Sequence, residues 1–373
     1  MPHLYIHIPF CETKCIYCDF YSVESTDEKG RFLEALLWEL EERAGEAGDT
    51  VFESVFLGGG TPSLLDAGQM ERLMNTLRKH YRITPDAEVT TEANPGTTSL
   101  EKLRAYRELG INRISFGVQS FHDDDLKFLS RIHTADEARE SIANAHEAGF
   151  DNINLDLMFS LPGQTPQRWK ANLEEARQLE TKHISCYSLT VENGTALATM
   201  VRNRAVTMPP NESDALLFER TMSTMAEWGF RQYEISNYAL PGYECRHNLG
   251  YWRLADYLGF GPSAHGTWNE HRRWNVSNLR SYIEACERKE LPIAGGEYLT
   301  REMRQEEFIY LRLRSEGINS IEYEARFGSD FYTDRGAQLQ PLLAGELLID
   351  REGTIKLSEK GILFADEICT RLA

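Results

Sequence analysis

The chain has 373 residues, with 40 Lys and Arg against 58 Asp and Glu for a formal charge of −18, and it is 41% hydrophobic and 10% aromatic. That is the composition of a globular chain with material for a large core, and the length suits about two domains. It excludes a membrane-spanning helix, since no run of about 18 apolar residues occurs, and it argues against general nucleic-acid binding, which needs a basic surface.

The first ten residues, MPHLYIHIPF, lack the basic start and small-residue cleavage site of a secretory leader, so a cytoplasmic location is expected. In the first half, short β-branched runs recur: 4–8, 54–58, 87–93, 112–118, 152–158 and 183–189. Segments with helical periodicity, such as 32–43, 68–80, 99–109, 134–148 and 168–179, follow them. This alternation predicts βα units on a parallel sheet, either open or a partial barrel. Nearly every run ends in polar or glycine residues: His7, Gly58–Thr61, Glu92, Gln119, Asp156 and Ser188. In (β/α) barrels the C-terminal strand ends form the active face, so the series points to one polar ligand held from many sides. Strand ends are also polar simply because loops are solvated.

From about residue 193 the pattern changes. A long helix is expected over 211–228, an amphipathic one over 301–316, further helices over 321–327 and 335–344, a hairpin in ELLIDREGTIKLS, and a last helix over 359–372. Helices followed by a hairpin suggest a winged-helix-like module, and the acidic composition suits docking better than DNA reading. The expected division is a core barrel over 1–235, a connecting segment over 236–300 and a C-terminal module over 301–373.

Three of the seven cysteines fall in Cys11-Glu-Thr-Lys-Cys15-Ile-Tyr-Cys18. Three thiolates on a short loop can wrap one face of a [4Fe–4S] cube and leave one iron open for a small chelate. Structural zinc, which wants four N/S ligands with His7 as a fourth, and a redox dithiol are the alternatives. The scattered Cys186, Cys245, Cys286 and Cys369 read as buried thiols.

This loop directly after a first strand, with Tyr17 before the third cysteine and Gly58-Gly59-Gly60-Thr61-Pro62 after the second strand, resembles the radical SAM superfamily. The resemblance implies a partial (β/α)6 barrel, a [4Fe–4S] cluster on Cys11, Cys15 and Cys18, and S-adenosylmethionine chelating the open iron. It further places Tyr5, Tyr17, Gly60, Thr61, Glu92, Gln119, Arg131, Asp156 and His265 at the S-adenosylmethionine site, as in the HemN-like branch, together with a mainly helical HemN-type C-terminal domain. Without the resemblance, Arg131 reads as a surface arginine at a helix end.

Within that branch, oxygen-independent coproporphyrinogen III dehydrogenases carry a fourth cysteine two residues after the third, where this chain has Phe20. The sequence His247-Asn248-Leu249-Gly250-Tyr251-Trp252 resembles the HNxxYW motif of haem-chaperone members. The resemblance implies haem held by His247, Tyr251 and Trp252 and passed to apo-haemoproteins, respiratory membrane enzymes included, with only peripheral membrane contact. No catalytic residue is assigned. Arg246, Arg253, Arg272 and Arg273 are candidate propionate partners, Cys245 a second thiolate, and His271 a rival ligand. Taken alone, HNxxYW reads first as a packed aromatic corner around a hydrogen-bonded histidine, and it is the resemblance that makes it a haem site.

Overall fold

The computed structural model describes residues 1–373. Six strands, β1 (His3–Ile8), β2 (Val51–Gly59), β3 (Arg82–Ala93), β4 (Arg113–Gln119), β5 (Asn152–Phe159) and β6 (His183–Ser188), pair in parallel in sequence order. Helices cover the outer face, and the sequence marks their starts. Asp66 with Gln69 and Thr134 with Glu137 form reciprocal capping boxes at Ala67–His80 and Ala135–Glu147, while Ser99 and Thr165 cap Leu100–Glu108 and Pro166–Gln178. Each helix turns an apolar stripe inward, such as Met70, Leu73, Met74 and Leu77. Together these stripes and the strands' outward Leu, Ile, Val and Phe side chains bury one large core.

The sheet continues beyond the six expected strands. On one side β9 (Tyr257–Phe260) lies parallel to β1, followed by antiparallel β10 (His265–Trp268), β11 (His271–Asn275) and β12 (Ile293–Tyr298). On the other, β8 (Asn237–Ala239) pairs antiparallel to β6 and carries β7 (Arg231–Gln232). Residues 236–300, expected as a connecting segment, therefore contribute five strands to the main sheet. Their sequence hid this: IAGGEY has two glycines and little apolar material, as suits an exposed edge.

A second, separate core is built by residues 308–372. Helices Arg301–Leu313, Ser320–Phe327 and Phe331–Ala344 pack with a three-stranded sheet of β13 (Ile318–Asn319), β14 (Leu348–Arg351) and β15 (Thr354–Leu357). The hairpin turns at Glu352 and Gly353, both with positive φ. The last helix is Ala365–Leu372, shorter than expected: Gly361 lies against the Leu347 carbonyl, in a 3-10 turn over 361–364 that breaks the run. No helix in the chain is long and apolar enough to cross a membrane.

Candidate functional site: a cysteine-lined cavity at one mouth of the barrel and a buried histidine at the other

The cysteine loop leaves the end of β1 and is pinned by protein contacts alone. Cys11 N–H donates to the Val23 carbonyl at 3.0 Å and Val23 N–H to the Pro9 carbonyl at 2.8 Å, while Lys14 N–H reaches Glu24 Oε1 at 2.8 Å. His7 Nε2 lies 3.0 Å from the Tyr21 carbonyl, which can only accept, so Nε2 carries the proton. Nδ1 is then the acceptor for the Tyr5 hydroxyl at 3.0 Å. Burial drives His7 down to about 4, so the ring is neutral at physiological pH. With both nitrogens engaged, His7 is no free fourth ligand for zinc. No three His, Cys, Asp or Glu side chains in the chain gather around a single ion position, as a mononuclear site requires. Cys11, Cys15 and Cys18 are all among the residues that line a cavity of about 470 Å³.

The opposite lip is the glycine turn after β2. Gly59 has φ +109°, and a Cβ there would sit 2.5 Å from the His7 ring; a Cβ on Gly60 would sit 2.6 Å from the Phe10 carbonyl. Only glycine fits, and the Gly60 and Thr61 amides donate to Ile8 and Phe10 carbonyls at 2.8 and 2.7 Å, fixing lip against loop. Thr61 Oγ1 donates to Cys11 Sγ at 3.7 Å and accepts from Asn94 Nδ2 at 3.0 Å. Arg131 donates to Cys15 Sγ at 3.3 Å, to Asn94 Oδ1 at 2.6 Å and to the Gly117 carbonyl at 2.5 Å. It is therefore no surface arginine: it ties the loop to β3 and β4.

Glu92 and Asp156 face the same space. Glu92 Oε2 accepts the Gly59 N–H at 3.1 Å; Asp156 accepts Asn154 Nδ2 at 2.8 Å and Ser115 Oγ at 3.3 Å. Burial, reinforced by Asp156, raises Glu92 to about 8, and burial raises Asp156 as well. Burial also pushes the Cys11 and Cys18 thiols up. Gln119 ends β4 at φ +67°, a costly conformation for a non-glycine residue, and its Oε1 is buried without a partner. Arg131 Nε is likewise unpartnered.

Of the expected S-adenosylmethionine residues, the cavity gathers Tyr17, Gly60, Thr61, Glu92, Gln119, Arg131 and Asp156. Tyr5 lies beneath it, against Phe56. His265 starts β10, is exposed, stacks on Trp274 with ring centres 5.9 Å apart and is not among the residues lining the cavity. Asn94, Ser115, Met158 and Tyr187 are lining residues that the motifs did not single out. Period two gives the signal for some of them: Ser115, Gly117 and Gln119 alternate inward on β4, as Asp156 and Met158 do on β5.

These residues fit the implied cofactors. Three cysteines lining one cavity offer the soft sulfur donors that an iron–sulfur cluster takes. The orphaned Gln119 Oε1 is an acceptor waiting for a donor, and Glu92 and Asp156 offer further acceptors for ribose hydroxyls.

At the other end of the barrel the helix Arg246–Trp252 closes the floor. Glu88 of β3 caps it, accepting the Arg246 and His247 amides at 3.0 and 3.1 Å and the Cys245 thiol at 3.3 Å. His247 is 1% exposed. Its Nδ1 lies 2.8 Å from Ser54 Oγ, which lies 2.8 Å from His3 Nδ1, and its Nε2 lies 2.9 Å from the Tyr251 hydroxyl. The ring stacks on Phe56 at 5.0 Å. Burial holds His247 well below the usual imidazole range. This is the packed aromatic corner that the motif, read alone, allowed. Trp252 is half-buried at the helix end. The surrounding cations are committed as well: Arg253 pairs with Glu316, Arg272 with Glu307, and Arg273 Nε donates to His271 Nδ1 at 2.8 Å. His271 itself stacks on Tyr298.

A parallel six-strand barrel with three cysteines on the loop after β1 and a glycine lip after β2 defines a radical SAM protein, and residues 5–176 match the radical SAM superfamily while 299–364 match the HemN C-terminal domain. "Heme chaperone HemW" of Bacillus subtilis is 37% identical over 374 residues, covering 99% of this chain and 98% of that protein. The protein of the same name from Escherichia coli is 40% identical over 265 residues, 70% of this chain and 69% of that one. The chain belongs to the HemW family. The solved structure of coproporphyrinogen III oxidase (HemN) from Escherichia coli shares its fold, with a TM-score of 0.86 at 24% identity, over 100% of this chain and 89% of that one.

Proposed function

We propose that this chain is a haem chaperone. It holds a [4Fe–4S] cluster on Cys11, Cys15 and Cys18, binds S-adenosylmethionine in the adjoining cavity, takes up haem at the segment containing His247, Tyr251 and Trp252, and hands it to apo-haemoproteins such as respiratory membrane enzymes. It works in the cytoplasm and meets membranes only through its recipients. Similarity along 99% of the chain to proteins named haem chaperones carries this reading. Phe20 supports it locally: at the mouth of the cavity, 65% exposed, this side chain brings no fourth sulfur.

When bound, the cluster and S-adenosylmethionine supply one-electron chemistry at the sulfonium. The chain's residues hold and orient. Thr61 and Arg131 fix Cys11 and Cys15. Gln119, Glu92 and Asp156 present acceptors, and Tyr17 offers a flat wall for the adenine. Iron ligation by His247 would take one ring nitrogen from its present partner, Tyr251 at Nε2 or Ser54 at Nδ1, at about 1–3 kcal/mol for the hydrogen bond left unmade, while the other nitrogen keeps its own.

One preparation tests both this reading and its rival, oxidative decarboxylation of coproporphyrinogen III. Anaerobically reconstituted protein is given haem and an apo-haemoprotein in one assay, and coproporphyrinogen III, S-adenosylmethionine and reductant in the other. Haem transfer without protoporphyrinogen formation is expected. Protoporphyrinogen formation without haem transfer overturns the proposal.

A further inference from the structure

A cavity of about 980 Å³ lies between the sheet extension and the C-terminal module, away from the cysteines. Its size is at the upper end of the range for cofactor pockets. One side is formed by Tyr251, Leu254 and Tyr257, the other by Tyr310, Leu311 and Phe327. Tyr251 thus joins the histidine of the floor, 2.9 Å from its hydroxyl, to this second space. Tyr251 and Tyr257 meet edge to face with centres 4.7 Å apart, giving one wall a rigid aromatic surface.

The rim of the cavity is ionic. Arg272 pairs with Glu307 and Arg304 with Glu270 along it, and outside the lining Arg253 pairs with Glu316 through two contacts at 2.8 and 2.6 Å. All three pairs bridge the barrel side to the C-terminal side. The two apolar cores remain separate, with Leu254 of the barrel side packed against the C-terminal one, so the modules meet here through ion pairs and a small apolar contact around a cavity. Partly exposed pairs are individually weak and can exchange partners, and polar inter-domain contacts permit relative motion. Burial holds the Asp256 carboxyl above its ordinary range, and Glu306 and Arg326 add further charges to the lining.

We propose that this inter-module cavity is the seat of the haem macrocycle: its apolar, aromatic walls take the porphyrin faces, and Arg272 and Arg304 exchange their glutamate partners for the propionates. The proposal rests on the haem-chaperone reading above and adds where the ligand lies. It also accounts for an enclosed His247 within the motif: the histidine positions Tyr251, which forms part of the cavity wall.

The test fills the cavity. Leu311→Trp adds bulk from one wall; Thr370→Trp does so from an exposed position on the rim, where folding is not at stake. Haem titration of the reconstituted full chain, followed by absorbance, is compared with iron content and the spectral response of the cluster to S-adenosylmethionine. Each variant is expected to bind haem at least about tenfold more weakly, a loss of about 1.4 kcal/mol, with cluster content and S-adenosylmethionine response unchanged. Wild-type haem affinity in a folded Thr370→Trp variant overturns the cavity assignment alone. Failure of the unaltered protein to bind haem overturns this inference together with the reading on which it rests.

Discussion

Gly250 sits mid-helix in the HNxxYW segment, where intrinsic propensity and packing make opposite predictions for alanine. Exposed helix interiors gain about 1 kcal/mol on Gly→Ala. Here an ideal Cβ would stand 2.0, 2.3 and 2.8 Å from three atoms of the His3 ring. That ring is 3% exposed and its Nδ1 is held 2.8 Å from Ser54 Oγ. To yield, it must leave the serine, costing about 1–3 kcal/mol for the lost buried hydrogen bond, on top of about 1–3 kcal/mol of overpacking. Subtracting the propensity gain leaves Gly250→Ala destabilised by about 1–5 kcal/mol. Chemical denaturation followed by circular dichroism measures it, with His3→Ala and the double variant completing a cycle. Because His3→Ala removes the obstructing ring, the double variant is expected to recover part of the loss. A Gly250→Ala protein as stable as the original, or more so, refutes the close His3–Gly250 packing.

Three more outcomes are expected. Replacing Cys11, Cys15 or Cys18 with Ala abolishes cluster loading, read as iron content, yet leaves far-UV circular dichroism unchanged, because the loop is anchored through Val23, Glu24 and Tyr21; a global loss of structure contradicts this. Glu92, raised to about 8 by burial and Asp156, favours its proton more in the folded state than in the unfolded one. Its contribution to stability is therefore complete below its ordinary value near 4.5 and is lost as pH rises through about 8, amounting to about 5 kcal/mol at most; Glu92→Gln flattens that slope between pH 5 and about pH 9 in denaturant midpoints. Gln119→Gly relieves a left-handed φ of 67° but loosens the unfolded chain, so stability stays within about 1 kcal/mol of the original while S-adenosylmethionine binding weakens; unchanged binding by calorimetry argues against Gln119 as a ligand group.

The cysteine spacing, the glycine turn and the six apolar runs were legible because each is local: a loop, a turn, a strand. Caps such as Asp66 and Thr134 set helix starts within a residue or two of the periodicity. What was not legible is long-range. His265 neighbours a glycine-rich turn in sequence, but pairing of β10 with β9 carries it to the sheet extension beside Trp274. The role of Asn94 as a bridge between Thr61 and Arg131 depends on three separate strand ends converging. His247 reads first as packing, and as a ligand only through the resemblance. Ser54, 193 positions away, and Glu88 of β3 together enclose it, and neither carries a sequence signature.

The neutral, single-tautomer His7 has a consequence for the life of the protein. In a zinc finger the metal makes the fold, so losing it destroys the site. Here a strand histidine, a tyrosine and a backbone carbonyl brace the cysteine loop from within, so the cluster proposed for it would not have to build the loop. A cube destroyed by oxygen would leave behind an intact receptacle, and repair becomes a matter of refilling it rather than of making the protein anew.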